Sequence, residues 1–397
     1  ECNSSLERDG YDNAIGRLDR DGDGFRWTTL FEPPDGGYVG ELDLDWDAQR
    51  LLFTRSLSNA WRICEMNVEG HDVHFIGDFP EDVDVFDAAW LPDGGIVFGA
   101  TATFQSVPCW HGQKKVANLY RLDADRHTWR QLCFDQDHDL HPSVLSNGQI
   151  VYSRWEYAGI SHIYLRLLMV MNPDGTGQRA IYGRSSWYPN ALYFPRELPG
   201  TAGRIAAILS GYHGPHRCGR LVVADPRPGL GEGGGLIEIT GDGRPRGRKV
   251  ADRLLEGEWP LFLTPYPVDE TTLLVAMKPS RTSPWCLAIG DTFDNLAPVF
   301  ELPGYALIEP VVLAPRMRPP ALPDRTDPDR DDALVYLHNV YEGPGLAGVP
   351  RGTVRRLRIV AYHFGYLNLA GPDYIGLNGP WEPLRIIGTV PVEEDGS

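Results

Sequence analysis

The chain has 397 residues, 37 of them basic and 54 acidic, for a formal net charge of −17. That balance excludes a phosphate-reading nucleic-acid binder, and the short basic run Arg351 to Arg358 does not overturn it. At 42% hydrophobic and 23% charged it is globular rather than disordered, and it has no apolar run of the roughly eighteen residues that a membrane helix needs. Forty-four glycines and 33 prolines suit short strands and turns better than helices. The cysteines (Cys2, Cys64, Cys109, Cys133, Cys218, Cys286) are widely spaced without a Cys-x-x-Cys pair, which excludes a small disulfide scaffold. The chain begins at Glu1 without a leader and stops at the acidic Glu393 to Ser397, as a mature or trimmed product would.

In chain order, the dominant signal is an internal repeat. Arg17 to Gly22, Glu65 to Gly70, Arg121 to Arg126 and Val170 to Gly175 each place Asp or Asn before a tight turn between strands. Asp87-Ala-Ala-Trp-Leu-Pro-Asp-Gly94 with a following Ile-Val-Phe matches His141-Pro-Ser-Val-Leu-Ser-Asn-Gly148 with Ile-Val-Tyr. Together these describe four-stranded units near 38–77, 84–134, 138–183, 186–241 and 260–302. Such a period without amphipathic helices predicts an all-β propeller. A sixth unit is expected from Asn13 to Phe31 pairing with a strand near 306–313, an N-/C-terminal strand closure that removes exposed sheet edges. The predicted domains are thus a six-bladed propeller over 1–325 and part of a small β-sandwich-like domain over 326–397.

Two constellations stand out. Propeller topology places Cys109 and His111, His138, His162 and His213 on one face, donors suited to zinc or a similar ion; the alternative is histidines bonding backbone in aromatic loops. Superposing the inner strands aligns Asp87, His141, Tyr188, Tyr266 and Glu309, four of them followed by proline. These five are expected to ring the channel mouth, either as a binding site or as a polar ring ordering water. Asp19-x-Asp-x-Asp23-Gly24 resembles half a calcium loop, but Leu30 stands where a bidentate Glu is needed, so it is read as a turn. No phosphate loop, nucleophile elbow or dinucleotide fingerprint stands in a strand-to-helix context.

His141-Pro with Val151 to Tyr157 and Met171 to Gly177 resembles the TolB-like propeller and, more closely, the middle domain of hydrazine synthase alpha-subunit-like proteins. Tyr341-Glu-Gly-Pro-Gly-Leu, Gly348 to Val354 and Val390 to Ser397 fit the same family. The resemblance implies a periplasmic or otherwise exported protein, a subunit or domain of an oxidoreductase, working with c-type haem. The sequence lacks Cys-x-x-Cys-His; Cys109-Trp-His111 is without the first cysteine. The haem is therefore expected from sequence beyond Ser397 or from a partner c-type cytochrome, and hydrazine chemistry itself is not carried by these residues. The alternative is a haem-free propeller binding a small ligand, a metal or a partner protein through its histidine-rich face.

Overall fold

The structure is a computed structural model describing residues 2–397 except 111, 157–164, 185, 215, 216, 333, 334 and 370–383, and excluding the side chains of Cys109 and Pro344. Two compact units divide the chain, Glu1–Phe104 with Lys114–Asp324, and Gln105–Gln113 with Arg325–Ser397. The short stretch Gln105–Gln113, inside the second repeat in sequence, was not expected to group with the C-terminal unit.

The first unit opens with a hairpin, β1 (Ile15–Asp21) and β2 (Gly24–Phe31). Five antiparallel four-stranded sheets follow. They are β3–β6 (Val39–Leu44, Arg50–Ser56, Trp61–Asn67, His74–Phe75) and β7–β10 (Val85–Trp90, Ile96–Ala100, Asn118–Leu122, Trp129–Gln131). Next come β11–β14 (Asp139–Val144, Ile150–Trp155, Arg166–Met171, Arg179–Tyr182) and β15–β18 (Ala191–Glu197, Ile205–Ser210, Arg220–Ala224, Leu236–Ile239). The last is β19–β22 (Leu261–Pro267, Thr272–Lys278, Cys286–Asp291, Leu296–Phe300). One parallel bridge, Arg166 to Ala191, links the third and fourth sheets.

Burial explains the sequence of these strands. The second strands β8 and β12 and the third strand β13 are buried at every position, because a sheet lies against each of their faces. Such strands read as near-continuous apolar runs, here Ile-Val-Phe-Gly-Ala and Arg-Leu-Leu-Met-Val-Met. Fourth strands such as β6 are exposed and short. The apolar core is accordingly a series of clusters between successive sheets. Leu52 and Ile63 meet Val85 and Phe98; Val97 and Leu119 meet Tyr152 and Met169. Val151 and Leu168 meet Leu192 and Ala207; Ile208 and Val223 meet Val275 and Ala288. The hairpin's Ile15, Leu30 and Phe31 pack with Phe53 and Val311, while Phe25 stacks edge-on to Phe300 at 5.8 Å.

The expected strand pairing at the sixth unit is corrected. Among the described residues β1 pairs with β2 alone and 306–313 forms no strand. The donors there are engaged elsewhere: the Leu307 amide donates to the Trp285 carbonyl, the Glu309 amide to Thr264 Oγ1, and Pro310 has none. Asp21 to Gly24 closes the β1–β2 hairpin, with Gly22 at φ 61°, and Asp19 accepts from Arg17.

The second unit contains a hairpin of β23 (Arg356–Tyr362) and β24 (Leu384–Pro391). Ser106 anchors Gln105–Gln113 to it, its amide donating to the Gly365 carbonyl at 3.0 Å and its hydroxyl to that of Tyr366 at 2.8 Å.

Candidate functional site at the inner-strand bulges

Each first strand breaks register once, at Gly40/Asp43, Phe86/Ala89, Leu140/Ser143, Tyr193/Arg196 and Leu263/Tyr266. The residue opening each bulge is left-handed: Glu41 at φ 58°, Asp87 at 56°, His141 at 57°, Phe194 at 52° and Thr264 at 45°. Glu309, at φ 56°, matches them without a strand of its own. Left-handed non-glycine residues cost on the order of 1 to 3 kcal/mol each, so their recurrence needs a stabilising structure around it.

That structure is a run of hydrogen bonds from one sheet to the next. Thr264 Oγ1 accepts the Glu309 amide at 3.1 Å. Glu309 Oε2 accepts the amides of Glu41 and Leu42. Glu41 Oε2 accepts the Asp87 amide at 2.9 Å, and Asp87 Oδ2 accepts the His141 amide at 2.7 Å. His141 then stacks on Phe194 with centroids 4.1 Å apart. All six residues, with Asp43, Ser143 and Arg196, line one cavity of about 60 Å³.

Burial sets the electrostatics. It pushes Glu41 up to about 8, with the Asp87 charge adding to it and a Thr54 hydrogen bond opposing. It pushes Glu309 up to about 7, against the lowering pull of the Glu41 and Leu42 amides. Asp87 resists burial and stays below the usual carboxylate range through His141 and Arg217. His141 is pushed down by burial, which leaves a neutral imidazole at neutral pH. Arg217 adds positive potential to the same region.

Of the residues expected at the channel mouth, Asp87, His141 and Glu309 border this cavity, while Tyr188 and Tyr266 do not. The inner-strand register corrects those two positions. Phe194-Pro195 and Thr264-Pro265 are the equivalents of His141-Pro142; Tyr188 precedes β15 and packs in the core, and Tyr266 lies against Arg196. Leu42, not proline, follows Glu41, as Ala88 follows Asp87, so no residue–proline pair marks it. Its signal was spacing: the next strand starts nine residues later at 41 to 50, as at 87 to 96 and 141 to 150.

The expected metal face is only partly described. His111, His162 and the Cys109 side chain lie outside the described residues. His138 is buried, accepting the Ala117 amide at Nδ1, and lies 5.8 Å from Trp155. His213 is exposed and bonded to Asp252 at 2.7 Å. His138 and His213 thus each have one ring nitrogen engaged, and His138 Nε2 has no hydrogen-bond partner. Cys133, Asp135 and Asp139 do converge within 4.8 Å. Arg154 already supplies the cation there, 2.9 Å from Asp139 and 2.5 Å from Asp135. Burial holds the Cys133 thiol well above its ordinary range and raises Asp135 to about 9, so the trio does not fit a metal without displacing Arg154. Nor do the cysteines fit a thioether-linked haem. Cys2, Cys64, Cys133, Cys218 and Cys286 are free and buried, and the sequence has no Cys-x-x-Cys-His.

The chain is all-β, and its repeated antiparallel four-stranded sheets are those of a β-propeller. Hydrazine synthase from Kuenenia stuttgartiensis is similar over 94% of this chain and 58% of that one, with a TM-score of 0.67 and 14% identity. This chain therefore spans little more than half of that protein's length, and at this identity the likeness is one of fold. A putative TolB from Agrobacterium tumefaciens is 11% identical over 70% of this chain and 85% of that one, at a TM-score of 0.48. A puromycin hydrolase is 16% identical over 63% and 35%, at 0.36. No family model and no curated protein matches the chain.

Proposed function

We propose that this chain is the propeller region of an exported, haem-associated redox protein akin to the hydrazine synthase alpha subunit, serving as scaffold and substrate-side wall. The observation that carries this reading is the fold likeness, which extends over 94% of the chain and so takes in sequence from both units. The haem belongs to a partner c-type cytochrome or to polypeptide beyond Ser397. Within this reading the propeller has six blades. The β1–β2 hairpin and the Glu309 segment form the sixth, which is supported by the Phe25–Phe300 contact and by Glu309 bonding to Glu41. Isolating the chain with its native partners and recording an absorption spectrum and a haem stain tests the proposal. A co-isolating covalent haem polypeptide is expected; a colourless isolate retaining its partners overturns it.

A second reading rests on the bulge ring. His141 is 3% exposed, lines the cavity, and has no partner at Nε2. Four polar residues, Glu41, Asp87, His141 and Glu309, bordering one cavity favour a ligand site, and the ring then binds a small molecule or ion whether or not haem is present. A zinc ion on the histidine-bearing loops, with His138 and His213 as described members, remains part of this reading. Zinc titration of the His138→Ala and His213→Ala variants tests it: wild-type affinity in both overturns it.

A further inference from the structure

The β23–β24 hairpin of the second unit is a two-stranded sheet, with no third strand on either edge among the described residues. It is also open on both faces. Ile359, Val360, Leu384, Ile386, Ile387 and Val390 are each between 40% and 56% exposed. An isolated hairpin is marginal in water, and apolar side chains beside unpaired backbone edges mark a surface that another chain covers.

Charge selects the partner. On a chain of net charge −17, Arg355, Arg356, Arg358 and Arg385 are exposed and make no ion pair among the described residues. Neither strand holds an acidic residue. The register sets Arg356 opposite Pro391 and Arg358 opposite Thr389, on the same face as the Val360–Ile386 and Tyr362–Leu384 pairs. That face is basic at one end and apolar at the other. A second copy of the hairpin would bring arginine against arginine, and lipid offers no hydrogen-bond partner to the strand edges. Arginine on an edge also guards against aggregation, but such protection does not call for six exposed apolar side chains beside it. We propose that the hairpin docks an acidic partner polypeptide, an extended segment of which pairs along the outer edge of β23. Its Asp or Glu side chains meet Arg356 and Arg358, and its apolar ones meet Val360 and Ile386. The edge is that of β23 because β24 ends in Pro391, which has no amide to give an added strand. Main-chain hydrogen bonds supply the affinity of such an addition and alternate side chains its specificity. The surface takes this partner whether or not the partner carries haem.

The test is selection of random phage-displayed peptides on the full chain, then titration of a synthetic copy of the enriched peptide. Peptides alternating Asp or Glu with apolar residues are expected. Nonspecific attraction to so acidic a chain would select basic peptides instead. Affinity should fall about ten- to a hundredfold in the doubly substituted Arg356→Glu, Arg358→Glu chain, and it should weaken with rising salt. Val360→Ser with Ile386→Ser should weaken it about tenfold. Hydrogen exchange should slow at the β23 amides that face away from β24. All four positions are exposed, and circular dichroism checks that the fold persists. No enrichment, enrichment of basic or uncharged peptides, or binding untouched by either pair of substitutions overturns the proposal. So does self-association in sedimentation that the arginine substitutions abolish, which makes a second copy the occupant. Binding to vesicles of anionic lipid, abolished in the same way and without peptide enrichment, overturns it in favour of a membrane surface.

Discussion

Glu309 accepts, through a single carboxylate oxygen, the backbone amides of Glu41 and Leu42, residues 268 and 267 positions earlier in the chain. The bulge at Glu41 turns those amides out of the β3–β4 ladder. Without an acceptor they would be buried donors lacking partners, so the contact joins the end of the first unit to its beginning by satisfying backbone groups.

Glu309→Ala should therefore be strongly destabilising. Each orphaned buried amide costs about 1 to 3 kcal/mol, so a loss of about 2 to 6 kcal/mol is expected in denaturant unfolding. Glu309→Gln retains the acceptor and should lose less than half as much. Equal losses in the two variants would show that the amides are not what Glu309 stabilises.

Stability should fall as the solution is made more alkaline across the neutral range. Glu41 and Glu309 sit at about 8 and about 7 in the folded chain, against 4.5 ordinarily, so the folded state holds protons that the unfolded state releases. Their contribution is fully present below about pH 4.5 and is lost as pH rises through the folded values, which for Glu309 alone is on the order of 3 kcal/mol. Melting temperatures between pH 5 and 8.5 should decline, and Glu309→Gln should flatten that slope.

Gly40 has no room for a side chain. A Cβ there would lie 2.3 Å from the Tyr38 hydroxyl and 3.1 Å from Glu309 Oε1. Gly40→Ala should cost about 1 to 3 kcal/mol by overpacking, read as a shift in the unfolding midpoint at constant slope.

Core substitutions should follow the clusters between sheets. Phe98 is fully buried between the first and second sheets, and Phe98→Ala should cost about 3 to 5 kcal/mol. Phe293, 76% exposed, should tolerate alanine within about 0.5 kcal/mol. A comparable loss at both positions would contradict the packing described.

The sequence alone determined the four-stranded units and their limits, because both signals are local. Strands buried on two faces must be apolar throughout, as Ile96 to Ala100 is, and the turns between third and fourth strands need Asn, Asp or Gly, as at Asn67 to Gly70. Asp87, His141 and Glu309 were legible as equivalents for the same reason: each opens a similar stretch. Which residues complete their ring was decided only by tertiary structure. Tyr188-Pro189 and Phe194-Pro195 offer the same aromatic–proline pattern, Tyr266-Pro267 and Thr264-Pro265 both end in proline at a shift of two, and local pattern does not rank them. The ladder does: the bulges fall at Tyr193/Arg196 and Leu263/Tyr266. Glu41 joined the ring through a carboxylate reaching the Asp87 amide, and 306–313 remained without strand structure because Leu307 and Glu309 gave their amides to Trp285 and Thr264. Such choices depend on where distant donors and acceptors meet in three dimensions, which no local pattern encodes.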